Sequence, residues 1–172
     1  MKACVLERPQ KYSIQDIPMP KVGADEVLVR ILVSGICVND VRDYKGSKWS
    51  YPRIGGHEYS AVIEKIGEDV PKESFKVGDK VIAYIIDDCG ICYDCKHNHE
   101  NICESFTKSK AYYNPNGYSG FYGFSEYAVV KARNLYAYPK ATPDEEAAFS
   151  EPLACVLNSI QRSHIKMGDD VV

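Results

Sequence analysis

Four of the chain's seven cysteines fall within fifteen residues, in the order Cys89, Cys92, Cys95 and Cys103. The spacing Cys-x2-Cys-x2-Cys-x7-Cys brings four thiolates within reach of one tetrahedral ion, with zinc–sulfur distances of about 2.3 Å. A thioredoxin-type redox pair would need two cysteines ahead of a helix in a βαβ setting, and this stretch has four and no such pattern. His97 and His99 lie among them, but four cysteines already fill a tetrahedron, so both are expected on the surface. Four thiolates leave no coordination position for water or substrate. Such an ion holds a loop and does no chemistry.

Reactive side chains must then be sought elsewhere. Cys37 sits just past a β-rich run, in Ser34-Gly-Ile-Cys-Val-Asn-Asp40. His57 and Glu58 follow a glycine pair, in Gly55-Gly-His-Glu-Tyr-Ser60, and Glu151 opens a helical stretch, in Ser150-Glu-Pro-Leu-Ala154. Each has an ordinary alternative: a cysteine as a small buried hydrophobe, a solvated His–Glu turn, a glutamate serving a helix dipole. Their spacing alone designates no metal site.

The elements that must position these residues are mostly β over the first 140 residues. Strands are expected over 2–6, 26–34, 59–66, 80–86, 127–130 and 135–138, divided by Gly and Pro. Many short strands with turn signals suggest a barrel or sandwich. The Tyr-, Asn- and Gly-rich run 108–124 reads as a surface loop. Thr142-Pro143-Asp-Glu-Glu reads as a helix start, with Thr142 as cap and Pro143 at the first helical position. A second helix is expected from near Ser150, with Leu153, Val156, Leu157 and Ile160 as one buried stripe. The chain ends in Gly168-Asp-Asp-Val-Val172, which reads as the start of a strand.

With 172 residues the chain fits one domain, or one domain and a piece of another. Hydrophobic residues make up 45%, enough for an ordinary core. A net charge of −3 gives no electrostatic reason to expect nucleic acid or an anionic membrane as partner. No apolar run approaches the roughly 20 residues of a membrane helix, and the first residues do not resemble a signal peptide. The expectation is a cytoplasmic protein with reduced thiols, which an odd cysteine count also favours.

Taken in order, Cys37, Gly-His57-Glu58, the 89–103 cluster and Glu151-Pro-Leu resemble the catalytic half of the zinc-dependent medium-chain dehydrogenases. The likeness is greatest to the sorbitol (polyol) and threonine dehydrogenase branch. Val77-Gly-Asp-Lys-Val81, Phe124-Ser-Glu-Tyr-Ala128 and Lys166-Met-Gly-Asp-Asp-Val-Val172 extend it over nearly the whole chain. The resemblance implies a mainly β, GroES-like, partly open barrel over residues 1–150, with a structural-zinc lobe at 87–105. Residues 151–172 would then be a helix and first strand leading towards a dinucleotide-binding (Rossmann) domain that is absent. No Gly-x-Gly-x-x-Gly turn occurs here, and the chain alone is expected to bind zinc without turning over substrate.

By the same resemblance, two zinc ions bind per chain. Cys89, Cys92, Cys95 and Cys103 hold the structural one. The catalytic one is held by Cys37, His57 and a carboxylate, for which Glu58 and Glu151 both compete. Cys155, one helical turn past Glu151, is a rival read as a core residue. Asp40 matches an acid that orients the histidine ligand, and a helix cap over 41–45 is its plain alternative. The implied reaction is reversible oxidation of a secondary alcohol or polyol to a ketone, with hydride passing to NAD or NADP, in a homo-oligomer when full length. Zinc-stabilised binding module and zinc-free quinone reductase are the competing readings. The sequence departs from the family at Asn39, where relatives carry a Ser or Thr that starts a proton relay, and at Arg42, where many carry a histidine. Arg42 is read as a surface ion pair with Asp43 or Asp40. Tyr44, Trp49 and Tyr51 are candidates either for a substrate wall or for rim packing.

Overall fold

The computed structural model describes residues 1–46, 51–105 and 117–170. Trp49, part of the 108–124 loop and the last two valines lie outside the described residues. Among the described residues, nine strands form two open sheets. The first, in the order β2-β1-β4-β7, is built from β1 (Lys2–Arg8), β2 (Lys11–Asp16), β4 (Arg53–Ile54) and β7 (Ser119–Gly120). The second, β8-β3-β5-β6-β9, comprises β3 (Glu26–Ser34), β5 (Tyr59–Ile66), β6 (Lys80–Ala83), β8 (Tyr127–Lys131) and β9 (Leu135–Ala137). Every pair is antiparallel except β4 with β7.

Alternation explains the second sheet. In β3, Val27 and Val29 are fully buried while Arg30 reaches solvent and pairs with Glu64 of β5 at 2.8 Å. Burying each valine contributes about 1.5–3 kcal/mol. Val27 and Val29 join Val5, Ile54, Ala61, Ile63 and Val81 in one core between the sheets. The expected mainly β, partly open architecture is present.

Six strands stand where they were expected, with one shortened. β6 stops at Ala83 instead of reaching 86 because another segment takes over the chain's polar groups. The Tyr84 N–H donates to the Asn134 carbonyl at 2.7 Å, and Asn134 Nδ2 donates to the Ile86 carbonyl at 3.1 Å. Strands β2, β4 and β7 were not anticipated. β4 and β7 have two residues each and carry no readable period.

The helices bring two corrections. α3 (Asp144–Ala148) has Pro143, not Thr142, at its N-cap, because the Thr142 N–H turns back to the Pro139 carbonyl at 2.9 Å. α4 (Ser150–Ser163) starts as expected, but its stripe is not buried: Leu153, Val156, Leu157 and Ile160 are 43–52% exposed. Cys155 is exposed as well, so it is not a core residue. The helical period was read correctly, but no described element covers that face. Residues 164–170 contain no strand. No helix among the described residues is long and apolar enough to cross a membrane.

The acids of α3 do more than serve its dipole. Asp144 Oδ1 accepts from Lys80 Nζ and from the Tyr138 hydroxyl, each at 2.7 Å. Those bonds, Lys80 first, hold its carboxyl below the ordinary value of 3.8. A depressed carboxylate stabilises the fold above that value, and the contribution fades as pH falls through its lower folded value. Asp144→Asn should therefore lower the urea midpoint at pH 7, with the gap to the unaltered chain closing below pH 3.8. An equal gap at both ends of the titration would refute this.

Candidate metal centres

The cysteine lobe follows β6. α2 (Tyr93–Lys96) starts at Cys92, whose sulfur accepts the Cys95 N–H. The Cys92 and Cys95 sulfurs are 3.3 Å apart, and those of Cys89 and Cys95 3.9 Å. All four ligand atoms lie within 4.8 Å of one another. A zinc tetrahedron with 2.3 Å bonds has sulfur–sulfur edges of about 3.8 Å, so the donor set fits a closed site. All four cysteines are free thiols. Backbone N–H groups of Ile91 and Cys92 pull the Cys89 thiol down to about 6. Burial, with Cys92 beside it, pushes Cys95 up to about 12. His97 and His99 are exposed and outside the set, as expected; His97 stacks on Tyr93 at 4.0 Å.

The second cluster draws on two separate segments of the chain. Cys37 is the N-cap of α1 (Val38–Lys45), just past β3, and His57 and Glu58 lie between β4 and β5. One sulfur, one imidazole nitrogen and one carboxylate oxygen from Cys37, His57 and Glu58 lie within 4.8 Å of one another. His57 is buried, and its ring meets Phe121 edge-on at 5.5 Å. Thiolate, imidazole and carboxylate together suit zinc. Burial raises the Cys37 thiol first of all, and Glu58 raises it further. Glu151 is outside the three-residue set. Its carboxyl is raised by burial, lowered by His57 and raised by Glu58, so it stands close to both. Of the two competing carboxylates, the geometry brings Glu58 into the cluster and leaves Glu151 beside it.

Asp40 is buried at the heart of the arrangement, with its carboxylate bonded to main chain on both sides. Its Oδ2 accepts the Cys37 N–H at 3.0 Å and its Oδ1 accepts the Gly56 N–H at 3.1 Å. Those bonds go to main chain and not to the His57 ring. Asp40 thus ties the start of α1 to the turn that carries His57. Gly55 permits this approach, since a Cβ there would lie 2.6 Å from Asp40 Oδ1. The helix it sits in begins at Val38, earlier than the 41–45 span of the plain alternative.

A second tie runs alongside. Asp43 of α1 and Arg53 of β4 form an ion pair at 3.1 Å with both side chains buried. That pair was missed, and it explains why Arg42 has no ion pair with Asp43 or Asp40: both acids are engaged elsewhere. Arg42 donates to Asn39 Oδ1 at 3.2 Å instead. Tyr44 stacks on Tyr12 with centroids 5.9 Å apart, and the Tyr51 hydroxyl donates to the Asp43 carbonyl at 2.7 Å. Gly35 was also missed. A Cβ there would come within 2.6 Å of a Glu58 carboxylate oxygen. A groove of about 710 Å³ beside α3 and α4, lined in part by Tyr138, Phe149 and Leu153, includes none of the three clustered residues.

The alcohol dehydrogenase GroES-like domain model matches residues 23–140. Starvation-sensing protein RspB of Escherichia coli K12 is 36% identical over 160 residues, covering 92% of this chain and 44% of that protein. L-threonine 3-dehydrogenase of an Anaeromyxobacter species (strain Fw109-5) is 32% identical, covering 100% of this chain and 49% of the relative. Among solved structures, the short chain alcohol dehydrogenase rspB of E. coli CFT073, complexed with NADH, superimposes with a TM-score of 0.80 at 34% identity. It covers 94% of this chain and 45% of that one. The chain spans about half the length of the curated relatives it matches.

Proposed function

This chain belongs to the alcohol dehydrogenase GroES-like domain family, and from that premise we propose that it forms the catalytic half of a zinc-dependent oxidoreductase acting on a secondary alcohol or polyol. The observation that carries the reading is the convergence of Cys37, His57 and Glu58 ligand atoms within 4.8 Å. In this reading residues 1–150 make the catalytic unit, and 151–172 lead towards a nucleotide-binding unit. The NADH in the related E. coli structure supports NAD as hydride acceptor, and the threonine dehydrogenase relative supports a secondary hydroxyl as the reacting group.

Cys37, His57 and Glu58 would hold one zinc, and Cys89, Cys92, Cys95 and Cys103 another. When bound at the first site, the ion supplies Lewis acidity, which makes a substrate hydroxyl easier to deprotonate near neutral pH. The chain's own residues do the rest. His57, buried against Phe121, keeps water from one side of the site. Asn39 cannot relay a proton, because its amide does not take one up at neutral pH, and its oxygen is already bound by Arg42. Glu151, with its carboxyl raised by burial, is the group that can accept the hydroxyl proton and pass it to solvent.

The test is metal content together with nicotinamide reduction, measured on the longest polypeptide that carries these residues. Two zinc ions per chain and NAD reduction by a secondary alcohol are expected. A fully zinc-loaded polypeptide that reduces no nucleotide with any of a panel of alcohols would overturn the enzyme reading. One zinc per chain would leave only a stabilised binding module.

Gly35 offers a finer test. Gly35→Ala would displace the Glu58 carboxylate, 2.6 Å from the added Cβ, and shift the Glu58 Cβ, at 3.2 Å, by a few tenths of an ångström. Stability should change by less than about 1 kcal/mol, while zinc affinity at this site falls roughly 10- to 100-fold. Competition with a chromogenic chelator reads the second quantity. Unchanged affinity would remove Glu58 from the ligand set.

A further inference from the structure

The cysteine lobe holds its four thiols unequally. Cys89 and Cys92 are half-exposed, Cys92 at the N-cap of α2, whereas Cys95 and Cys103 are buried. The Cys92 and Cys95 sulfurs, 3.3 Å apart, are nearer than the 3.9 Å between Cys89 and Cys95. Both flank one helical turn, Cys92-Tyr-Asp-Cys95, where a three-residue step sets Cα atoms about 5 Å apart. A disulfide spans Cα separations of roughly 4.4–6.8 Å, so this pair can close with little backbone movement. The Cys95 N–H donated to the Cys92 sulfur holds that sulfur over the turn.

We propose that the lobe is a peroxide-responsive metal clasp, in which oxidation joins Cys92 to Cys95, releases the zinc and leaves Cys89 and Cys103 as free thiols. The proposal rests on the lobe being a zinc cage, as read above. The half-exposed Cys92 thiolate attacks one oxygen of hydrogen peroxide, the O–O bond breaks, and hydroxide leaves. Cys92 is then a sulfenic acid. The Cys95 thiolate attacks the Cys92 sulfur, the S–S bond forms, and a second hydroxide leaves. Two electrons have passed from the sulfurs to the peroxide, and two solvent protons complete two waters. Cys89 and Cys103 alone supply two ligands where a closed zinc site takes four, so the ion departs.

The base of the lobe is held without thiols. Arg133 donates to Asp87 Oδ1 at 3.0 Å, and Asn134 to the Ile86 carbonyl at 3.1 Å. Oxidation therefore loosens only the stretch beyond Asp88, and reduction in the presence of zinc rebuilds it.

The experiment uses the zinc-loaded chain carrying Cys155→Ser and Cys37→Ser, which removes the exposed thiol and the other cluster's sulfur. Hydrogen peroxide is added stepwise, released zinc is read with a chromogenic chelator, and disulfides are mapped by peptide mass spectrometry. Loss of one zinc per peroxide consumed is expected, with Cys92 linked to Cys95, and with both changes reversed by dithiothreitol plus zinc. A predominant linkage between any other pair overturns the proposal. So does zinc retained while peroxide is consumed, and in that case the cage reading stands. A chain that binds no zinc before peroxide overturns the cage and the proposal together.

Discussion

Zinc-loaded Cys37→Ser and His57→Ala chains should each hold one zinc where the unaltered chain holds two. Both lie in the three-residue cluster, and neither touches the four-cysteine set, which fills its own tetrahedron. A serine hydroxyl stays protonated and binds zinc poorly, and alanine offers no donor. With one ligand gone, two remain, which is too few for a site that must also leave a position open. In a polypeptide that also carries the nucleotide-binding half, the loss should extend to turnover. Lewis-acid stabilisation is worth several kcal/mol, and about 4 kcal/mol corresponds to roughly 10³-fold in rate. Metal analysis by mass spectrometry checks the first part, and initial rates check the second. Two zincs retained in the His57→Ala chain would dissolve the proposed site.

Arg53→Met should be the most damaging of the structural substitutions. Arg53 and Asp43 are both buried at 3.1 Å, and removing Arg53 takes the guanidinium from beside a buried carboxylate. Such a break costs about 3–5 kcal/mol. Against a total stability of 5–15 kcal/mol, this raises the unfolded fraction about 10²- to 10⁴-fold. The companion expectation is sharper. In the double variant Arg53→Met with Asp43→Leu both charges are gone, and most of the loss should return, since apolar pairs of similar volume replace buried ion pairs at little cost. Urea midpoints for the four chains of this cycle provide the check. A double variant no more stable than Arg53→Met alone would mean that Asp43 is needed for something other than its partner.

Both predictions concern residues whose legibility in the sequence differed. The strands around the site were readable because Val27, Val29, Ala61 and Ile63 are buried along β-branched runs with clear ends. The cysteine lobe was readable because its ligands are close in sequence. Cys37, His57 and Glu58 carried no local signal, and their meeting depends on how β3, β4 and β5 are arranged. Only a resemblance to whole-chain motifs pointed to them. Arg53 and Asp43 were illegible for the same reason: a charged pair reads as surface until the fold buries it. The α4 stripe failed differently. A helical period states which residues share a face, and it cannot state whether anything lies against that face. Asp40 was singled out through the resemblance, but its bonds run to amides that every residue possesses, which no side-chain pattern announces.

That choice of partner shapes how the site behaves over time. A carboxylate that gripped the imidazole would lose its purpose whenever the ring swung away. One that grips the amides of residues 37 and 56 keeps the two loops in register through every exchange of ion. Uptake then needs no search through loop conformations, and its speed follows encounter and dehydration of the incoming cation. The cysteine lobe, whose sulfurs accept amides of the same short turns that carry them, has no such acid tying its tip to a second loop among the described residues and should load more slowly.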